Sequence, residues 1–182
     1  TDIAVISLGG IVASRNIKTA GDTLNQDIMH FARDEFKMLI GERTAEDIKI
    51  AIGSVWEGDE ELEVPMRGRD LITGLPREII VSSSDIREAM ARSVKHIIGS
   101  VKATIEDTPP ELVADIMHRG MVLVGGGALL RGLANILERE PHMPVRISDE
   151  ALVAVVRGTG IILEDLDSLR NVLLEHEGDI VT

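Results

Sequence analysis

The residues of this chain best able to do chemistry are a run of glycines and, well before it, a glutamate and a lysine three positions apart. Gly120-Met121-Val122-Leu123-Val124 leads straight into Gly125-Gly126-Gly127-Ala128-Leu129, and an amphipathic helical pattern follows through Leu130-Arg131-Gly132-Leu133. A short uninterrupted apolar run fits a strand buried on both faces, as in a parallel sheet. Successive glycines open backbone conformations closed to other residues and remove side chains that would hold a ligand away. A helix starting at once would offer unpaired N–H groups and its positive dipole end. Strand, bare loop and helix start together make a seat for a phosphate or a nucleoside. Glycines also serve tight strand-to-helix turns, and that reading carries equal weight on this stretch alone. Leu130 stands where the dinucleotide motif has its third glycine, and no Gly-Lys-Ser/Thr follows. Glu46 and Lys49 share one face of a predicted helix, and on their own they read as an exposed ion pair worth roughly 0.3 kcal/mol.

Other reactive side chains form no constellation. Glu57, Asp59, Glu60, Glu61 and Glu63 cluster in sequence, and a solvated hairpin tip accounts for them better than a metal site. The histidines (His30, His96, His118, His142 and His176) show neither metal-ligand spacing nor a catalytic triad pattern. The chain holds no self-contained catalytic machinery.

Composition narrows the field. The 182 residues suffice for one ordinary domain or two small subdomains. Hydrophobic residues make up 44%, enough for a real core, whereas aromatics are only 2% and leave no stacking platform for single-stranded nucleic acid. A formal charge of −12 argues against binding a phosphate backbone, which rests on Lys and Arg. With no cysteine there is no disulfide framework and no thiolate chemistry, which suits a cytosolic protein. No signal peptide is visible, and the apolar runs fall short of the ~20 residues that span a bilayer.

The elements that must position the glycines and the Glu/Lys pair follow from periodicity. Ile3 to Leu8 and Ile11 to Ile17, joined by Gly9-Gly10, predict a hairpin. Its first strand is expected to be buried, and one so close to residue 1 points to a segment of a longer protein. Leu24 through Ile40 predicts a helix ending at Gly41, after a turn at Ala20-Gly21-Asp22-Thr23. The next helix carries Glu46 and Lys49, with Thr44 as its cap and Asp47 completing a capping box. Leu62-Val64-Met66 and Glu78 to Val81 predict strands, with loops at Gly68, Gly74 and Pro76. Ser84 is expected to cap a long helix carrying Ile86, Met90, Val94, Ile97, Ile98, Val101 and Ile105. Thr108-Pro109-Pro110-Glu111 predicts a restart with Thr108 as cap and Glu111 closing a capping box. Beyond the glycines, Met143 to Ile147 predicts a strand, Ala151 to Leu163 a largely buried run, and Leu166 to His176 a small amphipathic helix.

Several stretches together resemble one family. Thr1-Asp2-Ile3-Ala4-Val5-Ile6-Ser7-Leu8-Gly9-Gly10, Ala20-Gly21-Asp22, Ile40-Gly41-Glu42-Arg43-Thr44-Ala45-Glu46, Gly74-Leu75-Pro76-Arg77, Thr108-Pro109-Pro110-Glu111-Leu112 and Arg119-Gly120 through Leu133 look like the MreB family of bacterial actin homologues. The likeness runs along essentially the whole chain and corresponds to the second half of the family's usual length.

The resemblance implies an α/β, actin-like ATPase (ribonuclease H-like) fold, of which this chain is the second lobe. Residues 1–22 and 108–165 would form the inner α/β subdomain, residues 23–107 an inserted outer α+β subdomain, and residues 166–182 a C-terminal helix and tail. The implied function is cell-shape determination by ATP-dependent filaments at the inner face of the cytoplasmic membrane, directing cell-wall synthesis in rod-shaped cells. Gly125, Gly126, Gly127, Ala128 and Leu129 match the adenosine motif. Glu46, Asp47, Ile48 and Lys49 match the segment that borders adenine and ribose, and Gly21 and Asp22 match a turn near the ribose. Thr1 corresponds to the last threonine of the second phosphate loop. The rest of that loop, the first phosphate loop, the catalytic glutamate and the membrane-contacting segment have no counterpart in these residues. The resemblance therefore implies ATP or ADP with Mg²⁺ as ligand, with the phosphate and Mg²⁺ positions mostly outside this chain and no catalytic residue within it. Implied partners are further copies of the protein, head to tail, and membrane-anchored morphogenesis and cell-wall synthesis proteins, with no nucleic acid. The alternatives are another actin-superfamily ATPase of sugar-kinase or chaperone type, and a docking module independent of nucleotide.

Overall fold

The computed structural model describes residues 1–167 and 169. Strands β1 (Asp2–Ser7) and β2 (Gly10–Asn16) form an antiparallel hairpin. Ser7 pairs with Gly10, so the two-residue turn is Leu8-Gly9, with φ of 51° and 80°. This corrects the expected Gly9-Gly10 turn: Leu8 occupies a left-handed position, and Gly10 already belongs to β2. Nor is β1 buried as expected. Ile3 and Val5 are half-buried while Ile6 is exposed, because a two-stranded ribbon has only one covered face.

Helix α1 (Gly21–Glu35) buries Leu24, Asn25, Ile28 and Ala32. It stops short of the expected Ile40. Lys37 takes φ 52°, and Met38 and Leu39 then form β3 (Met38–Leu39). β3 pairs with β4 (Glu63–Asp70), which pairs in turn with β5 (Pro76–Ser82), in a three-stranded antiparallel sheet. Gly68, expected in a loop, lies inside β4. A Cβ there would come 2.4 Å from the Leu39 carbonyl oxygen, so its absence admits β3.

The helix starts differ from the expected ones in a consistent way. Helix α2 (Glu42–Ile52) is capped by extended Gly41, whose carbonyl takes the Ala45 N–H at 3.1 Å. Thr44 and Asp47 lie inside the helix and form no capping box. Helix α3 (Ser83–Glu106) is capped by Ser82 in place of Ser84. Ser82 Oγ accepts from the Asp85 N–H at 3.3 Å, and Asp85 Oδ2 accepts from the Ser82 N–H at 2.8 Å. Helix α4 (Pro110–Arg119) begins after Pro109, without a side-chain cap. The Thr108 hydroxyl turns back and donates to the Thr104 carbonyl at 2.8 Å, closing α3 rather than opening α4.

Strands β6 (Met121–Leu123) and β7 (Val145–Ile147) run parallel. Between them lie a 3₁₀ turn (Gly126–Leu129) and helix α5 (Leu133–Arg139), and helix α6 (Ala154–Glu164) follows β7. Both strands match expectation, but the burial does not. Val122 is 46% exposed, and Val155, Val156 and Leu163 on α6 are each about two-thirds exposed. An apolar run reports what a segment could bury, and among the described residues nothing covers these faces. Beyond Leu169 the helix expected to His176 lies outside the described residues. One aliphatic core joins Leu24 and Ile28 of α1, Ile48 and Ile52 of α2, Met90 and Val94 of α3, and Leu133 and Leu137 of α5.

Candidate nucleoside-side site

Thr1 is fastened to the corner that leads into Gly21 and Asp22, the first two residues of α1. The Thr1 ammonium donates to the Ile17 carbonyl at 2.7 Å, and its hydroxyl donates to the Thr19 carbonyl at 2.6 Å. Thr19 is buried, and its hydroxyl bonds His96 Nδ1 at 2.8 Å. Ala20 then donates its N–H to Thr23 Oγ1 at 3.3 Å, and Gly21 opens α1.

Lys49 reaches this corner from α2. Its ammonium donates to the Gly21 carbonyl at 3.2 Å and to Asn25 Oδ1 at 2.7 Å. This corrects the reading of Glu46 and Lys49 as an ion pair, since no carboxylate lies within ion-pair distance of Lys49 among the described residues. The cause is packing. α1 lies against α2 and offers Lys49 fixed oxygens, whereas Glu46 is solvated and gains little from pairing. Glu46 and Lys49 still share a helix face by spacing. The two residues between them do not join that face. Ile48 is 4% exposed and sits in the core, and Asp47 borders a shallow hollow with Thr44 and Arg67 on the β4 side.

The glycine loop lies at the carboxyl ends of the two parallel strands, the edge where open α/β sheets receive ligands. Gly125 takes φ 83° and donates its N–H to the Ala151 carbonyl at 2.7 Å. Gly126, Gly127, Ala128 and Leu129 form the 3₁₀ turn, with Ala128 buried and Leu129 half exposed. The expected helix start at the glycines is not there, because α5 begins only at Leu133. The loop therefore presents bare backbone and the Leu129 side chain rather than a helix dipole. Ser148 and Asp149 follow β7 on the same edge, beside a hollow that they line with Arg146 and Glu150. The sequence reading missed them, since nothing in a short strand's tail marks them.

The two halves are joined one step behind these surfaces. The Val55 N–H donates to the Arg131 carbonyl at 2.9 Å, next to a bridge between Ser54 and Arg131. Arg131 Nη2 donates to the Glu60 carbonyl at 3.1 Å, and its Nε lies 3.8 Å from Asp59 Oδ2. The same Asp59 oxygen accepts from buried Ser54 at 2.5 Å. Gly132 takes φ 79°, and a Cβ there would fall 2.3 Å from Trp56 Cβ. The residues leaving the glycine loop are thus fastened to those leaving α2. Asp59, expected as part of a solvated tip, is a strut of this clasp. Among the described residues no cluster of His, Cys, Asp and Glu could hold a metal ion.

The family model described as MreB/Mbl protein matches residues 1–171. The chain is 48% identical over 169 residues to the cell shape-determining protein Mbl of Bacillus cereus, covering 93% of this chain and 51% of that protein. It is 43% identical over 180 residues to the cell shape-determining protein MreB of Escherichia coli, covering 99% and 50%. The structure of MreB5 of Spiroplasma citri bound to AMPPNP superposes with a TM-score of 0.87 at 38% identity, over 94% of this chain and 52% of that one. The same protein bound to ADP gives 0.86 at 39% identity, over 91% and 50%. The chain spans about half the length of these relatives, and its fold is the actin-like α/β fold they share.

Proposed function

This chain belongs to the MreB/Mbl family, and from that premise we propose that it is the adenosine-side half of an actin-like, nucleotide-dependent filament protein that determines cell shape. The observation that carries the reading is Lys49. Its ammonium is held at the Gly21 turn by two neutral oxygens, without a carboxylate partner among the described residues, on the helix face that Glu46 shares. Such a group can meet ribose hydroxyl or phosphate oxygens. Glu46 supplies an acceptor for a hydroxyl, and the bare loop Gly125 to Leu129 leaves room for a flat base. A relative being solved with AMPPNP and with ADP supports the same ligand class. ATP or ADP with Mg²⁺ is the ligand this reading assigns, and this chain's residues grip its nucleoside end. Phosphoryl transfer needs phosphates, Mg²⁺ and water positioned together. Thr1, with its hydroxyl committed to Thr19, offers no means to do that alone.

The same reading divides the chain into an inner subdomain of residues 1–22 and 108–165, an outer subdomain of residues 23–107 and a C-terminal segment of residues 166–182. It places the protein in the cytoplasm, peripheral at the inner face of the membrane, and in contact with copies of itself and with membrane-anchored cell-wall synthesis proteins. Family membership sets aside the sugar-kinase and chaperone alternatives.

Calorimetric titration of the 182-residue chain with ADP tests this. Saturable binding is expected, with Lys49→Met weakening it about tenfold or more, as for loss of a charge-assisted hydrogen bond. No heat from the wild-type chain at millimolar ADP would count against the reading. ATP turnover by this chain would defeat the view that it is a half-site.

A further inference from the structure

Asn25 is a polar side chain in an apolar place. It is 2% exposed on α1, within one turn of buried Leu24 and Ile28. A leucine, branched like asparagine, would carry no cost of burying an amide there. Asparagine also disfavours a helix interior, because its side chain competes for backbone hydrogen bonds. What the amide does here is accept a 2.7 Å hydrogen bond from the Lys49 ammonium across the α1–α2 interface.

The chemistry of that acceptor matters. A buried carboxylate would hold the ammonium and also neutralise it, whereas an amide oxygen holds it and leaves the positive charge uncompensated. The second acceptor, the Gly21 carbonyl, is neutral too. We propose that Asn25 is a positioning residue for the candidate site. It fixes the Lys49 ammonium beside the Gly21 turn as an oriented, uncompensated donor for the electron-rich oxygens of a bound nucleotide. This rests on the nucleotide reading above, and it assigns a role to a residue that makes no ligand contact itself.

A double-mutant cycle tests it in the full 182-residue chain. Asn25→Ala, Asn25→Leu and Asn25→Asp are made in the wild-type and Lys49→Met backgrounds, with ADP affinity from calorimetry and melting temperature as a check on folding. A second measurement needs no nucleotide: the acylation rate of Lys49 by an amine-reactive ester, read by mass spectrometry against exposed Lys18 and Lys95. Asn25→Ala and Asn25→Leu are expected to weaken ADP binding about tenfold. Asn25→Asp keeps an acceptor oxygen in place but neutralises the ammonium, so it too should weaken ADP binding about tenfold, without the rise in Lys49 reactivity that loss of the bond would bring. In the Lys49→Met background Asn25→Ala should cost nothing more, since the two residues act as a unit. Lys49 should become several-fold more reactive in Asn25→Ala. Equal losses with and without Lys49, or unchanged Lys49 reactivity, would overturn the proposal. If the wild type fails to bind ADP while Lys49 reactivity rises as expected, the nucleotide reading falls and the Asn25–Lys49 contact stands.

Discussion

At the β4–β5 turn, Asp70 Oδ1 accepts from the N–H groups of Ile72 and Thr73 at 2.8 Å each, and Oδ2 accepts from Arg77 Nη1 at 3.1 Å. The Thr73 N–H, then that of Ile72, holds the carboxyl below the usual carboxylate range. A depressed carboxyl stabilises the fold above its ordinary value, about 3.9, and loses that contribution as pH falls through its folded value. Asp70→Asn should therefore loosen the turn at neutral pH, as faster amide exchange at Ile72 and Thr73. The difference from wild type should shrink to nothing as pH drops well below the ordinary carboxylate range. A difference that persists unchanged in acid would show that the turn does not rest on this charge. Lys49 teaches a related lesson about legibility. Its spacing from Glu46 was plain in the sequence, but spacing along one helix cannot say which oxygens a neighbouring helix will bring closer. Asn25 was unreadable for the same reason, since only the α1–α2 packing makes it a partner.

At the scale of elements, periodicity located what packs and misplaced where elements begin. The stripe Ile86, Met90, Val94, Ile97 and Val101 on α3 is buried as its spacing requires. At the starts of α2, α3 and α4, however, the hydroxyl residue expected as the cap (Thr44, Ser84 and Thr108) was not the cap. Several nearby residues can play that part, and the preceding strand or helix decides where the backbone leaves its own conformation. Ser82→Ala should cost about 1 kcal/mol by denaturant unfolding, as for loss of an N-cap hydroxyl, and Ser84→Ala clearly less. Equal costs would mean that the Ser82–Asp85 box does not set the helix start. The clasp behind the glycine loop allows a sharper test. Gly132→Ala meets both a left-handed φ and the body of Trp56, so it should destabilise the chain by more than the roughly 1 kcal/mol of a simple glycine-to-alanine conflict. A loss within that figure would show that Trp56 yields easily. Nothing in the sequence marked Ser54, Asp59 or Arg131 as partners, because their contacts join segments far apart in the chain.

At the scale of the molecule, the fold class and the strands β6 and β7 were legible, but their pairing and the burial were not. Composition shows that apolar residues are available, while cover depends on which layers stand opposite. The exposed aliphatic side chains of β1, β6 and α6 each belong to a sheet or helix with a single covered face. The continuity of the core has a different consequence. Leu133 and Leu137, from the glycine-loop side, pack in the same aliphatic body as Leu24, Ile48 and Met90, and the Arg131 clasp ties the same two regions. The proposed inner and outer subdomains should then share one free energy of unfolding. Calorimetry should give a single transition whose measured enthalpy equals the van't Hoff value, and two resolved peaks would refute that. In such a cooperative unit the glycine loop and Lys49 cannot melt separately, so any ligand that steadies one of them raises the melting temperature of both.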